Sequence, residues 1–252
     1  MFFMIWHLTS IPLRNGTLIP MKRMFHPQGE RGKGEYGWLS TCYSFSFADW
    51  YDPTKMGFGA LRVLNDDVIA GGKGFGDHGH KDMEIITIIM NGSIRHADSM
   101  GNEYVIEEGD VQVMSAGTGV RHSEHNNSET IPLELFQIWI KPREKSIAPR
   151  YDQKHFNFKK VNNEIIQLVG RESLSINQEA CISYGTLDDD VTLVYTLHKR
   201  SSGVYIFVVE GSLRIDEQIL EKRDALCVWD SDTLEIIGRG TTSFLLIEVP
   251  IT

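Results

Sequence analysis

Residues 84–117 and 204–230 carry the same pattern twice: an apolar run rich in β-branched residues, a glycine corner followed by Ser and Arg, then further short strands. Asn91-Gly92-Ser93-Ile94-Arg95 lines up with Glu210-Gly211-Ser212-Leu213-Arg214, and Gly109-Asp110 with Arg223-Asp224. A repeat spanning about half of the chain describes duplicated β-domains rather than a short-period solenoid. The runs at 60–70, 84–90, 93–100, 103–117 and 133–140 have strand composition or alternation, and Asn65-Asp66-Asp67, Gly101-Asn102 and Glu108-Gly109-Asp110 supply turns between them. Asn91-Gly92 reads as a tight hairpin. The first half shows no long helical periodicity, so the predicted fold class is all-β, with few short helices, one of them within 142–156. The polar stretch opened by Lys141-Pro142 divides residues 21–145 from residues 146–252.

Residues 1–20 form an apolar N-terminal extension. They lack a basic segment before the apolar stretch and an A-x-A-like cleavage site, and are too short to span a bilayer. The sequence restarts at Met21 with MKRMFHP, which predicts that 1–20 stem from a non-native, upstream start.

The chemistry concentrates in two blocks, GFGDHGHKDME (74–84) and GTGVRHSEHN (117–126). Side chains alternate faces along a strand, so His78 and His80 share one face, as do His122 and Glu124. From neighbouring strands the two pairs converge into one barrel interior. Three imidazoles and a carboxylate suit one divalent ion: Fe(II), Mn, Ni, Cu, Co or Zn. The second copy lacks the ligands. Leu197 and Lys199 stand where His78 and His80 stand in the first, and the position matching His122 falls near Ile236.

A net charge of −9 and the absence of any Lys/Arg-rich run exclude a basic nucleic-acid-binding face. Cys42, Cys181 and Cys227 are odd in number and form no CxxC, which fits a reducing, cytoplasmic compartment without a disulfide framework.

Gly72-x5-His78-x-His80-x3-Glu84-x7-Gly92 and Gly109-x7-Gly117-x-Gly119-x2-His122-x3-Asn126 are similar to the two cupin motifs, with Ser115 where many cupins carry proline. HGHKDMEI, MSAGTGVRHSEHN, FQIWIKP and the segment 37–69 resemble the pirin family, and most closely its bacterial quercetin 2,3-dioxygenases. The resemblance spans about residues 22–250 and implies a bicupin, two double-stranded β-helix (jelly-roll) barrels in tandem, with the metal in the first. It assigns metal ligation to His78, His80, His122 and Glu124. Other cupins take their carboxylate from the position of Glu84, which here becomes a supporting residue behind the ligands. It further implies Fe(II) as the ion and a flavonol and dioxygen as substrates, opened with loss of carbon monoxide, Glu124 moving between ligand and proton acceptor. Phe45, Phe47, Phe75, Met114 and Trp139 are candidates for an apolar substrate cavity, ordinary barrel core being the competing role for each. The alternative that the resemblance carries is a redox sensor acting on transcription through a protein partner.

Overall fold

The computed structural model describes residues 21–251, together with a short backbone pairing of Leu13–Arg14 with Thr17–Leu18. The expectation of a non-native start at 1–20 otherwise lies outside the described residues. Strands dominate. The only helical turns among the described residues are two three-residue 3₁₀ turns, Gln28–Glu30 and Phe158–Lys160. No helix there is long and apolar enough to cross a membrane.

Two sheets form the first barrel. One has the order Glu103–Glu107, Ser93–Asp98, Val120–Asn126, Gly74–His80; the other runs Arg150–His155, Asp110–Ser115, Glu84–Asn91, Leu133–Ile140, Leu61–Ile69, Leu39–Tyr43, Gly32–Glu35. All of the pairings are antiparallel. The second barrel is a single eight-stranded sheet built around two long strands, Ser202–Ile215 and Thr233–Pro250. Register shifts at Val208/Glu210 and Glu210/Ser212 bend the first of them.

Asn91-Gly92 is not a hairpin. Glu84–Asn91 pairs with Asp110–Ser115 and Leu133–Ile140, whereas Ser93–Asp98 pairs with strands of the opposite sheet. Gly92, at φ +83°, turns the chain from one sheet to the other, where an added Cβ would stand 3.0 Å from the Pro132 carbonyl oxygen. The predicted helix within 142–156 is also absent, and Arg150–His155 is an edge strand on Asp110–Ser115. The sheets therefore do not follow a cut at 145/146. Arg150–His155 belongs to the first barrel, and Lys22–His26 is hydrogen-bonded to Ala225–Trp229 of the second.

Glu84–Asn91 and Leu133–Ile140 are buried on both faces. Their outward residues Ile86, Ile88, Phe136 and Ile138 join Tyr205, Phe207, Leu245 and Ile247 in one core between the barrels. Arg223 crosses this seam: its Nε lies 2.7 Å from Asp66 Oδ2, and its guanidinium lies over the Phe136 ring. The second barrel's interior is apolar and filled, with Leu197, Val204, Ile206, Ile236, Phe244 and Leu246 packed together. The first barrel's interior is not: Thr87, His96, Gln112, His122, Glu124 and Gln137 are all buried there.

Candidate metal centre

Val120–Asn126 builds the centre. Its burial alternates, so Val120, His122, Glu124 and Asn126 point inward. Pairing with Gly74–His80 sets His122 opposite His78. On its other side, pairing with Ser93–Asp98 sets His122 opposite Asp98 and Glu124 opposite His96. Residues paired across strands point to the same face. The register shifts between His122 and Glu124, so that Glu124 faces Phe75. This bulge lets Phe75, an odd position, share the inner face with His78 and His80.

The three predicted histidines come together. One ring nitrogen from each of His78, His80 and His122 lies within 4.8 Å of the others, and Nε2 of His80 is 3.0 Å from Nε2 of His122. Nδ1 of His78 contacts the Gly76 carbonyl oxygen at 2.8 Å, which makes Nδ1 the donor and, in the neutral ring, Nε2 the lone-pair nitrogen. Burial, reinforced by the neighbouring imidazoles, pushes His122 down to about 3 and His80 to about 4. Both are neutral near pH 7. Two neutral imidazoles meeting Nε2 to Nε2 have one hydrogen bond to share, whereas a cation between them takes both lone pairs.

Glu124 stands slightly apart. Its carboxylate groups with His122 and His96 rather than with His78 and His80. Oε2 accepts a hydrogen bond from Gln137 Nε2 at 3.4 Å, while Oε1 is buried without a partner. Burial pushes the carboxyl up to about 7. An unpaired buried oxygen beside His122 is a free donor next to the histidine cluster, and the residues present fit a divalent ion.

His96 was missed in the sequence because it belongs to neither block. The signal available was its parity with Asp98 in a strand whose Ile94 also points inward. Glu84, expected behind the ligands, is in no ligand cluster among the described residues. Its Oε2 accepts from Ser115 Oγ at 2.6 Å and from the backbone N–H of Asn177 at 3.0 Å, which ties the first barrel to the second half.

The five cavity candidates separate. Phe47 and Trp139, 5.3 Å apart in ring centroids, line a cleft of about 270 Å³ with Trp50, Met56 and Met83, and Trp139 stands edge-on to His80 at 5.0 Å. Phe75 packs on Trp38 and lies 6.3 Å from His78. Phe45 and Met114 line no part of this cleft. Phe45, in the bend just after the strand Leu39–Tyr43, is 1 % exposed and packs on His26 and Tyr205 between the barrels. Met114 is fully buried in a small cluster with Ile85, Ala116 and Val120. In the second barrel Leu197 and Ile236 are buried in apolar core, and His198 Nδ1 contacts Glu248 at 2.9 Å.

Both halves match family models: Pirin over residues 24–140, and the quercetinase C-terminal cupin domain over residues 169–249. Over 222 residues the chain is 42% identical to the quercetin 2,3-dioxygenase of Escherichia coli strain K12, covering 88% of this chain and 96% of the relative. It is 37% identical over 227 residues to a pirin-like protein of Caulobacter vibrioides, covering 88% and 97%. The crystal structure of the bacterial pirin YhhW from Escherichia coli in complex with nickel(II) superposes with a TM-score of 0.86 at 40% identity, over 92% of this chain and 100% of that one. Two barrels of cupin type, a histidine cluster found among the described residues in the first, and relatives matched over nearly their whole length place the chain in the pirin family.

Proposed function

We propose that this chain is a metal-dependent dioxygenase that opens the heterocycle of a flavonol such as quercetin with dioxygen, releasing carbon monoxide. The observation that carries the proposal is the approach of His80 Nε2 to His122 Nε2 at 3.0 Å, with His78 beside them and Trp139 of the aromatic cleft edge-on to His80. His78, His80 and His122 would hold the ion, and Glu124, inward-facing two residues beyond His122, would supply the fourth donor. Fe(II) is the ion we propose; the nickel(II) complex of the Escherichia coli pirin shows that such a fold also accepts Ni(II).

Once bound, the ion supplies Lewis acidity that lowers the pKa of a chelating hydroxyl, together with open positions for dioxygen. The protein supplies the rest. Phe47 and Trp139, edge to face at 83°, offer an apolar corner for an aromatic ring system, with Trp139 next to His80. Glu124, its carboxyl pushed up to about 7 by burial, would leave the ion to take the proton of the substrate's 3-hydroxyl, moving between ligand and proton acceptor. Gln137 steadies its Oε2.

The test is aerobic turnover of quercetin by the iron-loaded protein, with carbon monoxide measured as product. His80→Ala removes one of the facing nitrogens, and the expected outcome is loss of both bound metal and turnover with the fold retained by circular dichroism. Full turnover by metal-free His80→Ala would sink the proposal.

A further inference from the structure

Three buried polar atoms crowd one side of His122 without partners: Nδ1 of His122 itself, Nδ1 of His96 and Oε1 of Glu124. Their residues are 2 %, 0 % and 2 % exposed, and one ligand atom of each lies within 4.8 Å of the others. An unpartnered buried polar atom is costly, so three together call for a common explanation.

The chemistry of each atom restricts its partner. If Nε2 of His122 faces the ion, its ring proton sits on Nδ1, and a ligating imidazole gives that proton to an acceptor behind it. Glu124 Oε1 cannot be that acceptor while it binds the same ion, because it then lies on the Nε2 side of the ring. His96 is the remaining choice, and its tautomer is already set. Its Nε2 faces Asp98 Oδ2 at 3.3 Å, and a carboxylate only accepts. Asp98 is in turn held by the backbone N–H groups of Met100 and Asn102 and by Asn102 Nδ2. The proton on His96 is therefore on Nε2, and Nδ1 offers a lone pair. The two rings lie 5.3 Å apart in centroids and are inclined at 58°, so a small turn of either ring brings the two Nδ1 atoms within hydrogen-bond reach. Tyr151 backs His96 at 4.9 Å, with Tyr104 stacked behind it.

We infer that His96, anchored by Asp98, is a positioning residue that accepts the Nδ1 proton of His122 and so fixes the tautomer and orientation of that metal ligand. The inference rests on His122 being a ligand, as proposed above. One hydrogen bond and one ion then account for all three unpartnered atoms. His78 has its equivalent in the Gly76 carbonyl; His122, deeper in the barrel, takes another side chain.

The test uses nickel(II) and zinc(II) affinity, measured by chelator competition, and histidine nitrogen NMR of the zinc-loaded protein. His96→Phe fills the space without an acceptor and is expected to weaken affinity by roughly 10- to 100-fold. His96→Gln, which retains an acceptor oxygen, is expected to restore most of the loss. Circular dichroism of each metal-free variant checks folding. In the wild-type protein, Nδ1 of His122 is expected to be protonated and Nδ1 of His96 not. A protonated Nδ1 on His96, or wild-type affinity in His96→Phe, overturns the inference. His122→Ala separates the two levels. If it binds metal normally, the ligand assignment fails. If it loses metal while His96→Phe does not, the inference about His96 fails alone.

Discussion

The proton on Glu124 competes with the metal, and the structure sets the size of that competition. Burial holds the Glu124 carboxyl at about 7. An ion that takes its oxygen must displace that proton at any pH below this value, so this contribution to affinity is fully present above about pH 7 and falls tenfold per unit below it. At about pH 5 the loss is about 100-fold, or about 2.7 kcal/mol. His80 and His122, pushed down to about 4 and 3, stay neutral over the same range and add no slope. Glu124→Gln removes the competing proton, and its side-chain oxygen still accepts from Gln137 Nε2. Nickel(II) affinity is measured for both proteins by competition with a chromophoric chelator, from about pH 8 to about pH 5. The wild-type advantage over Glu124→Gln is expected to shrink by about 100-fold along the series. Taking the ratio cancels every group that titrates alike in both proteins. A ratio that does not change with pH would refute either the ligand role of Glu124 or the argument that burial holds its proton.

Two further predictions concern the frame around the site. Asp67, buried and accepting a hydrogen bond from Thr41 Oγ1, is pushed up to about 7 by burial from its ordinary 3.8. The unfolded chain ionises it first, so this contribution to stability is present below about pH 4 and lost as pH rises to about 7; in urea unfolding of the metal-free protein, Asp67→Asn is expected to gain up to about 4 kcal/mol at about pH 8 and nothing at about pH 4. An equal gain at both pH values would count against it. Glu84→Ala strips the acceptor from Ser115 Oγ and the Asn177 N–H and is expected to cost about 2–3 kcal/mol of unfolding free energy, whereas Glu84→Gln, which keeps an acceptor oxygen, costs much less; equal losses in the two variants would mean that hydrogen bonding is not what Glu84 provides.

What could be read from the sequence is what strand periodicity carries. His-x-His and His-x-Glu put their side chains on common faces because the period of a strand is two, and the repeat showed that the second copy had lost the residues. Periodicity is blind where the backbone breaks it. The bulge at Gly76-Asp77 brings Phe75 inward against its parity, and no local residue pattern announces it. Asn91-Gly92 has hairpin chemistry, yet the positive φ of Gly92 serves a corner between sheets, since partner choice depends on strands far away in sequence. Phe45 and Met114 are large and apolar like Phe47 and Trp139; Met114 sits in a sheet buried on both sides and Phe45 in a bend after a strand, and composition encodes neither placement. His96 and Asp98 lie between the blocks, and only their opposition to Glu124 and His122 across the strand pair reveals them.

The two barrels divide a physical conflict. A site that holds a cation needs polar groups inside a barrel, and each such group weakens the core around it. The first barrel accepts this cost, with His96, Gln112, Glu124 and Gln137 where a structural barrel would place aliphatic side chains. The second is filled with Leu, Ile and Val, and its outer face covers the seven-stranded sheet that backs the site, Phe207 standing against Phe136. The strand exchange fits the same logic. Lys22–His26 completes the second sheet, Arg150–His155 extends the first, and Arg223 and Asn177 reach across to Asp66 and Glu84. Chain on either side of the predicted boundary thus holds the polar barrel in shape. The second copy, without ligands, packs its apolar residues against the outer face of the sheet that carries the polar interior, Phe207 and Leu245 joining Ile86, Phe136 and Ile138.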